Sequence, residues 1–194
     1  MTDAHNLDQS HDPDHDLWVF GYGSLIWNPG FEFVERVQAQ LIGEHRSLCI
    51  YSMVHRGTPE KPGLVLGLDR GGACHGMAFR VEAAKRQSTV TYLRAREQVT
   101  RVYREVTRSV WLADDPRRRV SALVYVADRG HPQYAGRLSA EEQARFVLQG
   151  HGAAGPNTDY VLSTARALEQ HGIRDEELHR LALMLRGETV GTRT

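Results

Sequence analysis

Two places in the chain hold residue types whose spacing suits proton or anion chemistry. The first is Gly21-Tyr22-Gly23-Ser24-Leu25-Ile26. A Gly-x-Gly turn lets successive backbone N–H groups converge on an anion or a developing oxyanion, since glycine reaches positive φ and permits close approach. A dinucleotide fingerprint would need glycine where Ile26 stands, and a nucleophile elbow would need it in place of Tyr22 and Ile26. A tight structural turn is the other reading. The second place is Glu97. Val90, Leu93 and Glu97 recur at helical spacing, so the carboxyl shares a face with apolar side chains. A carboxyl on such a face is desolvated, which raises its pKa and lets it both take and give a proton near neutrality. The alternative is a solvent-facing Glu97 paired with Arg94 or Arg101, a contact worth about 0.3–0.5 kcal/mol.

Other reactive types offer less. His45, His55, His75, His131, His151, His171 and His179 form no HExxH and no paired metal spacing, so no metal or other cofactor is expected. His75 alternates with Met77 and Phe79 and reads as a satisfied core or edge residue. Cys49 and Cys74 sit in strand-like runs, where a thiol behaves as a small apolar group; two cysteines make neither a disulfide framework nor a cysteine zinc site. Tyr103 and Tyr160 are candidate pocket hydroxyls, or simple packing. Ser24 beside Gly23 invites a serine-hydrolase reading, although no histidine and aspartate partners are predictable.

The elements that must position these residues are readable in outline. Leu17-Trp18-Val19-Phe20 opens the folded part as a strand. Residues 37–53 alternate loosely, as half-buried strands do. Leu64–Leu68 and Cys74–Val81 read as a β-hairpin turned at Asp69-Arg70-Gly71-Gly72. A helix is predicted from Ser88, as N-cap, to about Val102, followed by strands over 106–112 and 120–126. Ser139-x-x-Glu142 has capping-box form; Tyr160, Val161, Thr164 and Leu168 share a helical face closing near Gly172; Leu178, Leu181 and Leu185 stripe a last helix ending near Gly187. Strands in hairpins with a helical end indicate an α+β fold.

Composition bounds the function. The 194 residues carry 24 basic and 24 acidic side chains, which argues against a partner bound by counterion release, such as nucleic acid. No apolar run reaches the about 18 residues of a membrane-spanning helix. Residues 1–16, with Asp3, Asp8, Asp12, Asp14, Asp16, His5, His11 and His15 and no lysine or arginine, read as a disordered solvated tail rather than a secretory leader. One domain over 17–187 and a tail over 188–194 are expected, in a cytoplasmic protein.

Together the segments resemble the ChaC-type γ-glutamylcyclotransferases. The likeness lies in Trp18-Val19-Phe20-Gly21-Tyr22-Gly23-Ser24-Leu25-Ile26-Trp27, in Arg56-Gly57-Thr58-Pro59 with Pro62 to Leu68, in Gly71-Gly72-x-Cys74-x-Gly76-x-Ala78-Phe79-Arg80-Val81, and in Tyr92-Leu93-x-x-Arg96-Glu97. Gly155-Pro156-Asn157-x-x-Tyr160 also fits. The resemblance implies a mixed β-barrel or sheet with flanking helices, glutathione as substrate, no cofactor, Glu97 as catalytic acid/base, and Gly21 to Ile26 as the substrate loop. Arg56 lies in a matching block and is a candidate substrate contact or a loop brace. The resemblance also implies one or two glycines shortly before Tyr103, where this chain has Thr100-Arg101-Val102. A non-catalytic γ-glutamyl-binding domain and a Ser24 hydrolase are the alternatives.

Overall fold

The computed structural model describes residues 15–97, 100–115 and 117–187; most of both expected tails, 1–14 and 188–194, lies outside them. Strands β1 (Leu17–Gly21), β2 (Glu35–Ser52), β3 (Gly63–Val81), β4 (Tyr103–Leu112) and β5 (Arg119–Ala127) close into a barrel in the order β1-β3-β2-β4-β5. β1 runs antiparallel to β3, from Leu17 opposite Val81 to Gly21 opposite Met77, and parallel to β5, with Trp18 opposite Ala122 and Val19 opposite Leu123. The helices are α1 (Arg86–Glu97), α2 (Ala140–Gln149), α3 (Asn157–Gln170) and α4 (Glu176–Leu185), with a small pair β6 (His151–Gly152) and β7 (Gly155–Pro156) between α2 and α3. This is the α+β barrel with helices that the sequence implies. Among the described residues no helix is long and apolar enough to cross a membrane.

The chain divides into two compact units. The first comprises Met1–Arg46 and Leu68–Val126. Its buried cluster of Leu17, Val19, Leu25, Val81, Leu93 and Tyr125, joined by Phe31, Val90, Tyr103 and Leu123, draws on β1, the segment after it, β3, α1, β4 and β5. The second comprises Ser47–Gly67 and Ala127–Thr194, and in it α2, α3 and α4 pack on one another. Ser139 and Glu142 close the expected capping box on α2, and Tyr160, Val161, Thr164 and Leu168 are buried along α3.

Two expectations about elements are corrected. Residues 63–81 form one continuous strand, not a hairpin. Gly71 (φ 97°) and Gly72 (φ 69°) take left-handed conformations without reversing the chain, and His45 Nδ1 donates to the Gly71 carbonyl at 3.0 Å. The reversal lies in residues 53–62, between β2 and β3. Turn-prone glycines thus sit inside a ladder, where neighbouring-strand bonds override local preference. The helix expected from Ser88 begins at Arg86, after a 3₁₀ turn over Ala83–Lys85, and its assigned span ends at Glu97. Ser88 does not cap it: its hydroxyl donates back to the Lys85 carbonyl at 2.9 Å. At the other end Asp16, expected in the tail, accepts from Arg80 Nη1 at 2.7 Å and from the Ala83 N–H at 3.0 Å.

Candidate active site

All of the site built around Glu97 lies in the first unit. Strand β1 delivers the chain at Gly21 into a single 3₁₀ turn, Ser24–Ile26, closed by Ile26 N–H on the Gly23 carbonyl at 3.0 Å. Glycine at 21 answers a need for space rather than for positive φ. A Cβ there would stand 2.9 Å from Leu25 Cβ and 3.2 Å from the Phe79 ring, tighter than real contacts allow. Gly23 is not left-handed either (φ −133°, ψ −126°). The N–H groups of Ser24 and Leu25 head the turn, where a helix leaves its first donors without intrahelical acceptors. Tyr22 anchors the segment: its hydroxyl donates to the Tyr125 carbonyl at 2.9 Å, and its own carbonyl accepts from Arg46 Nε at 2.6 Å.

Helix α1 brings the carboxyl. Leu93 is fully buried in the cluster that also holds Leu25, so one apolar contact region fixes both the loop and the helix face. Glu97 stands one turn beyond Leu93, as the last residue of α1, with only 18% of its side chain exposed. Burial pushes its carboxyl above the usual carboxylate range, and the Arg96 charge opposes that rise. Arg96 Nε lies 3.2 Å from Glu97 Oε1, so the ion pair is with Arg96 and not with Arg94 or Arg101. Arg94 is engaged elsewhere, on both oxygens of Glu105 at 2.9 and 2.8 Å.

A largely buried carboxyl, a neighbouring cation and a glycine-bearing 3₁₀ turn thus share one region of the first unit. The family model described as ChaC-like protein matches residues 17–188. The chain belongs to the ChaC-like family. It is 34% identical over 170 residues to the glutathione-specific γ-glutamylcyclotransferase of Escherichia coli K12, covering 88% of this chain and 73% of that one. It is 32% identical over 178 residues to the human glutathione-specific γ-glutamylcyclotransferase 1, covering 91% and 79%. In fold it is similar to the crystal structure of the γ-glutamyl cyclotransferase specific to glutathione from yeast, at a TM-score of 0.82 and 22% identity, over 93% of this chain and all of that one.

Other residues expected at the site of this ChaC-like chain fall into two groups. Tyr103, half-buried at the start of β4, packs on the cluster that holds Leu25, Leu93 and Tyr125. Arg56 and Tyr160 belong to the second unit. There the Arg56 guanidinium lies over the Tyr160 ring at 5.7 Å and donates to the Pro156 carbonyl at 3.0 Å, while the Tyr160 hydroxyl accepts from Leu66 N–H at 3.2 Å. Ser24 Oγ accepts from Arg96 Nη2 at 2.9 Å. Arg101, in the stretch where the resemblance implies one or two glycines, is left-handed (φ 58°). Sequence reasoning passed over two features. One is Arg96, present in the Tyr92-to-Glu97 block but given no role there. The other is Tyr125, whose hydroxyl donates to Glu105 Oε2 at 3.0 Å and whose pKa is raised by burial, by Glu105 and further by the charge of Glu97. Its only sequence signal is its place in an apolar strand.

Proposed function

We propose that this chain is a glutathione-specific γ-glutamylcyclotransferase with Glu97 as its acid/base. The observation that carries the assignment is a largely buried carboxyl on α1, in a ChaC-like chain, on the helix whose Leu93 shares a core cluster with Leu25 of the loop 21–26. The reaction is intramolecular. The α-amine of the γ-glutamyl group attacks its own side-chain amide carbonyl, a C–N bond forms to close a five-membered lactam, and the amide bond to cysteine breaks. The products are 5-oxoproline and cysteinylglycine.

Glu97 takes a proton from the substrate ammonium, which frees the nitrogen lone pair, and later gives it to the departing nitrogen. A carboxyl with a raised pKa suits both halves, since neither transfer is steeply uphill. The N–H groups heading the Ser24–Ile26 turn serve the anionic oxygen or a substrate carboxylate; a donor aimed at a forming oxyanion is worth about 3–4 kcal/mol. Holding the glutamyl chain bent supplies the proximity contribution. Tyr103, Arg56 and Tyr160 stand as further candidates for substrate contact. Ser24 suits a binding role better than a nucleophilic one, because its hydroxyl is held by a guanidinium, a donor that cannot accept its proton. The balanced charge favours a small-molecule substrate over nucleic acid. The cytoplasm is the fitting compartment, where glutathione is the bulk thiol and the buried thiols of Cys49 and Cys74 stay reduced.

Incubation of the protein with glutathione, read by mass spectrometry beside γ-glutamyl-alanine, tests the assignment. Cysteinylglycine and 5-oxoproline are expected in equal amounts from glutathione, with little product from the comparator. Glu97→Gln is expected to stay folded, bind glutathione and release no 5-oxoproline; substantial turnover by that variant removes the shuttle role.

A further inference from the structure

Arg96 touches both the loop after β1 and Glu97, and nothing in the proposed reaction uses it. Its Nη1 donates to the carbonyls of Asn28 at 2.6 Å and Pro29 at 3.2 Å and reaches the Tyr92 hydroxyl at 3.0 Å. Its Nη2 donates to Ser24 Oγ at 2.9 Å, and its Nε faces Glu97 Oε1 at 3.2 Å. The side chain is 20% exposed. Such a planar fork holds several acceptors in fixed directions at once, which an ammonium on a flexible stem does not do.

We propose that Arg96 is a positioning residue that bonds the glycine loop and the Glu97 carboxylate together, fixing the separation between the anion-binding N–H groups and the acid/base. The inference rests on the cyclotransferase reading of Glu97 and adds to it the part that joins loop to helix. The buried cluster that holds both Leu25 and Leu93 brings loop and helix together, but apolar packing is non-directional and leaves a polar side chain free to turn. The guanidinium supplies the direction. A loss of placement of about 1 Å is enough to cost a hundredfold in such a reaction.

The same contact bears on protonation. The charged and titratable groups that act on Glu97 are Arg96 beside it on α1 and the Tyr125 hydroxyl of β5, which the Glu97 charge reaches. Arg94 is neutralised by Glu105, which also holds the Tyr125 hydroxyl, so Arg96 is the cation that opposes the burial of Glu97. Without it the carboxyl rises further and the base is formed only at higher pH.

Three full-length variants decide the matter when kcat and KM for glutathione are followed across pH. Arg96→Gln is expected to lower kcat about tenfold at neutral pH and to move the acidic limb of kcat/KM upward by about one pH unit. Arg96→Lys keeps a charge near Glu97 but loses the fork, so the limb stays near its original pH while KM rises several-fold. Ser24→Ala removes the loop end of the contact and is expected to raise KM with an unmoved limb. Should Arg96→Gln fail to fold, the Lys and Ala variants still decide, since their KM effects are expected to be non-additive in the double variant. An unmoved limb and unchanged KM in Arg96→Gln, with Glu97→Gln inactive, overturn the positioning role and leave the cyclotransferase assignment standing. An active Glu97→Gln removes instead the acid/base role on which this inference rests, and with it the positioning role.

Discussion

At Glu97 two opposing effects meet in one side chain. Desolvation raises the carboxyl and the Arg96 charge lowers it, with burial prevailing. The net rise has a consequence for stability as well as for catalysis. Between the ordinary glutamate value and the raised one, the folded state holds more protons than the unfolded state, so this group makes stability fall as pH increases through that window. Replacing Glu97 by Gln removes the ionisation. The variant is therefore expected to melt above the wild type at pH 8, with the difference shrinking to nothing at about pH 4, where both carry a neutral side chain. Thermal melts across that range check the sign; a variant that melts lower at pH 8 would mean that the Arg96 contact outweighs the burial.

At the scale of elements, what the sequence revealed was whatever depended on local pattern. The short apolar run of β1, the capping box of α2, and the apolar stripes of α3 and α4 are written in residues close along the chain. The face of α1 was equally readable: Val90 and Leu93 pack on the core, and Glu97 follows on the same side. Glycine punctuation misled at Gly71 and Gly72, because pairing with a distant strand decides whether such a pair turns the chain or bends it. Arg96 and Tyr125 acquire their roles from partners across the fold, Arg96 from Ser24, Asn28 and Pro29, Tyr125 from Glu105, and no periodicity marks such pairings. The departure at Arg101 carries a conformational cost that the family pattern hints at. A left-handed residue with a Cβ costs roughly 1–2 kcal/mol relative to the right-handed form, and glycine escapes most of it at the expense of a more disordered unfolded chain. Arg101→Gly is expected to stabilise the protein by about 0.5–1 kcal/mol, read as a higher urea midpoint at an unchanged slope. An unchanged or lower midpoint would show that the Arg101 side chain compensates for its backbone.

For the first unit taken whole, the closure of the barrel is its thinnest part. β1 has five residues and meets β5 through Trp18 opposite Ala122 and Val19 opposite Leu123, and the site depends on it because Gly21 ends that strand. A polar strap crosses the same region. Glu35, at the start of β2, accepts from Arg80 of β3 at 2.7 Å and from Arg118, just before β5, at 2.7 Å, while the Arg118 guanidinium lies over the Trp18 ring at 5.4 Å. Strands on both sides of β1 are thereby joined to one carboxylate. The two guanidiniums, Arg118 first, hold Glu35 below the usual carboxylate range. Its contribution is present above the ordinary glutamate value and is lost as pH falls through the lowered one. The arginine side chains remain 35% and 36% exposed, so solvent screening limits the strap to about 1 kcal/mol despite its short contacts. Glu35→Gln is expected to lower Tm at neutral pH by about 2–4 °C, and the gap is expected to shrink as pH falls below the ordinary glutamate value and to narrow in high salt. If the seam is what the strap secures, hydrogen exchange at Val19 and Leu123 should quicken in the variant more than exchange at the β2–β4 pairs Ala39–Leu112 and Leu41–Val110. Equal acceleration at both would mean that Glu35 acts on the barrel as a unit.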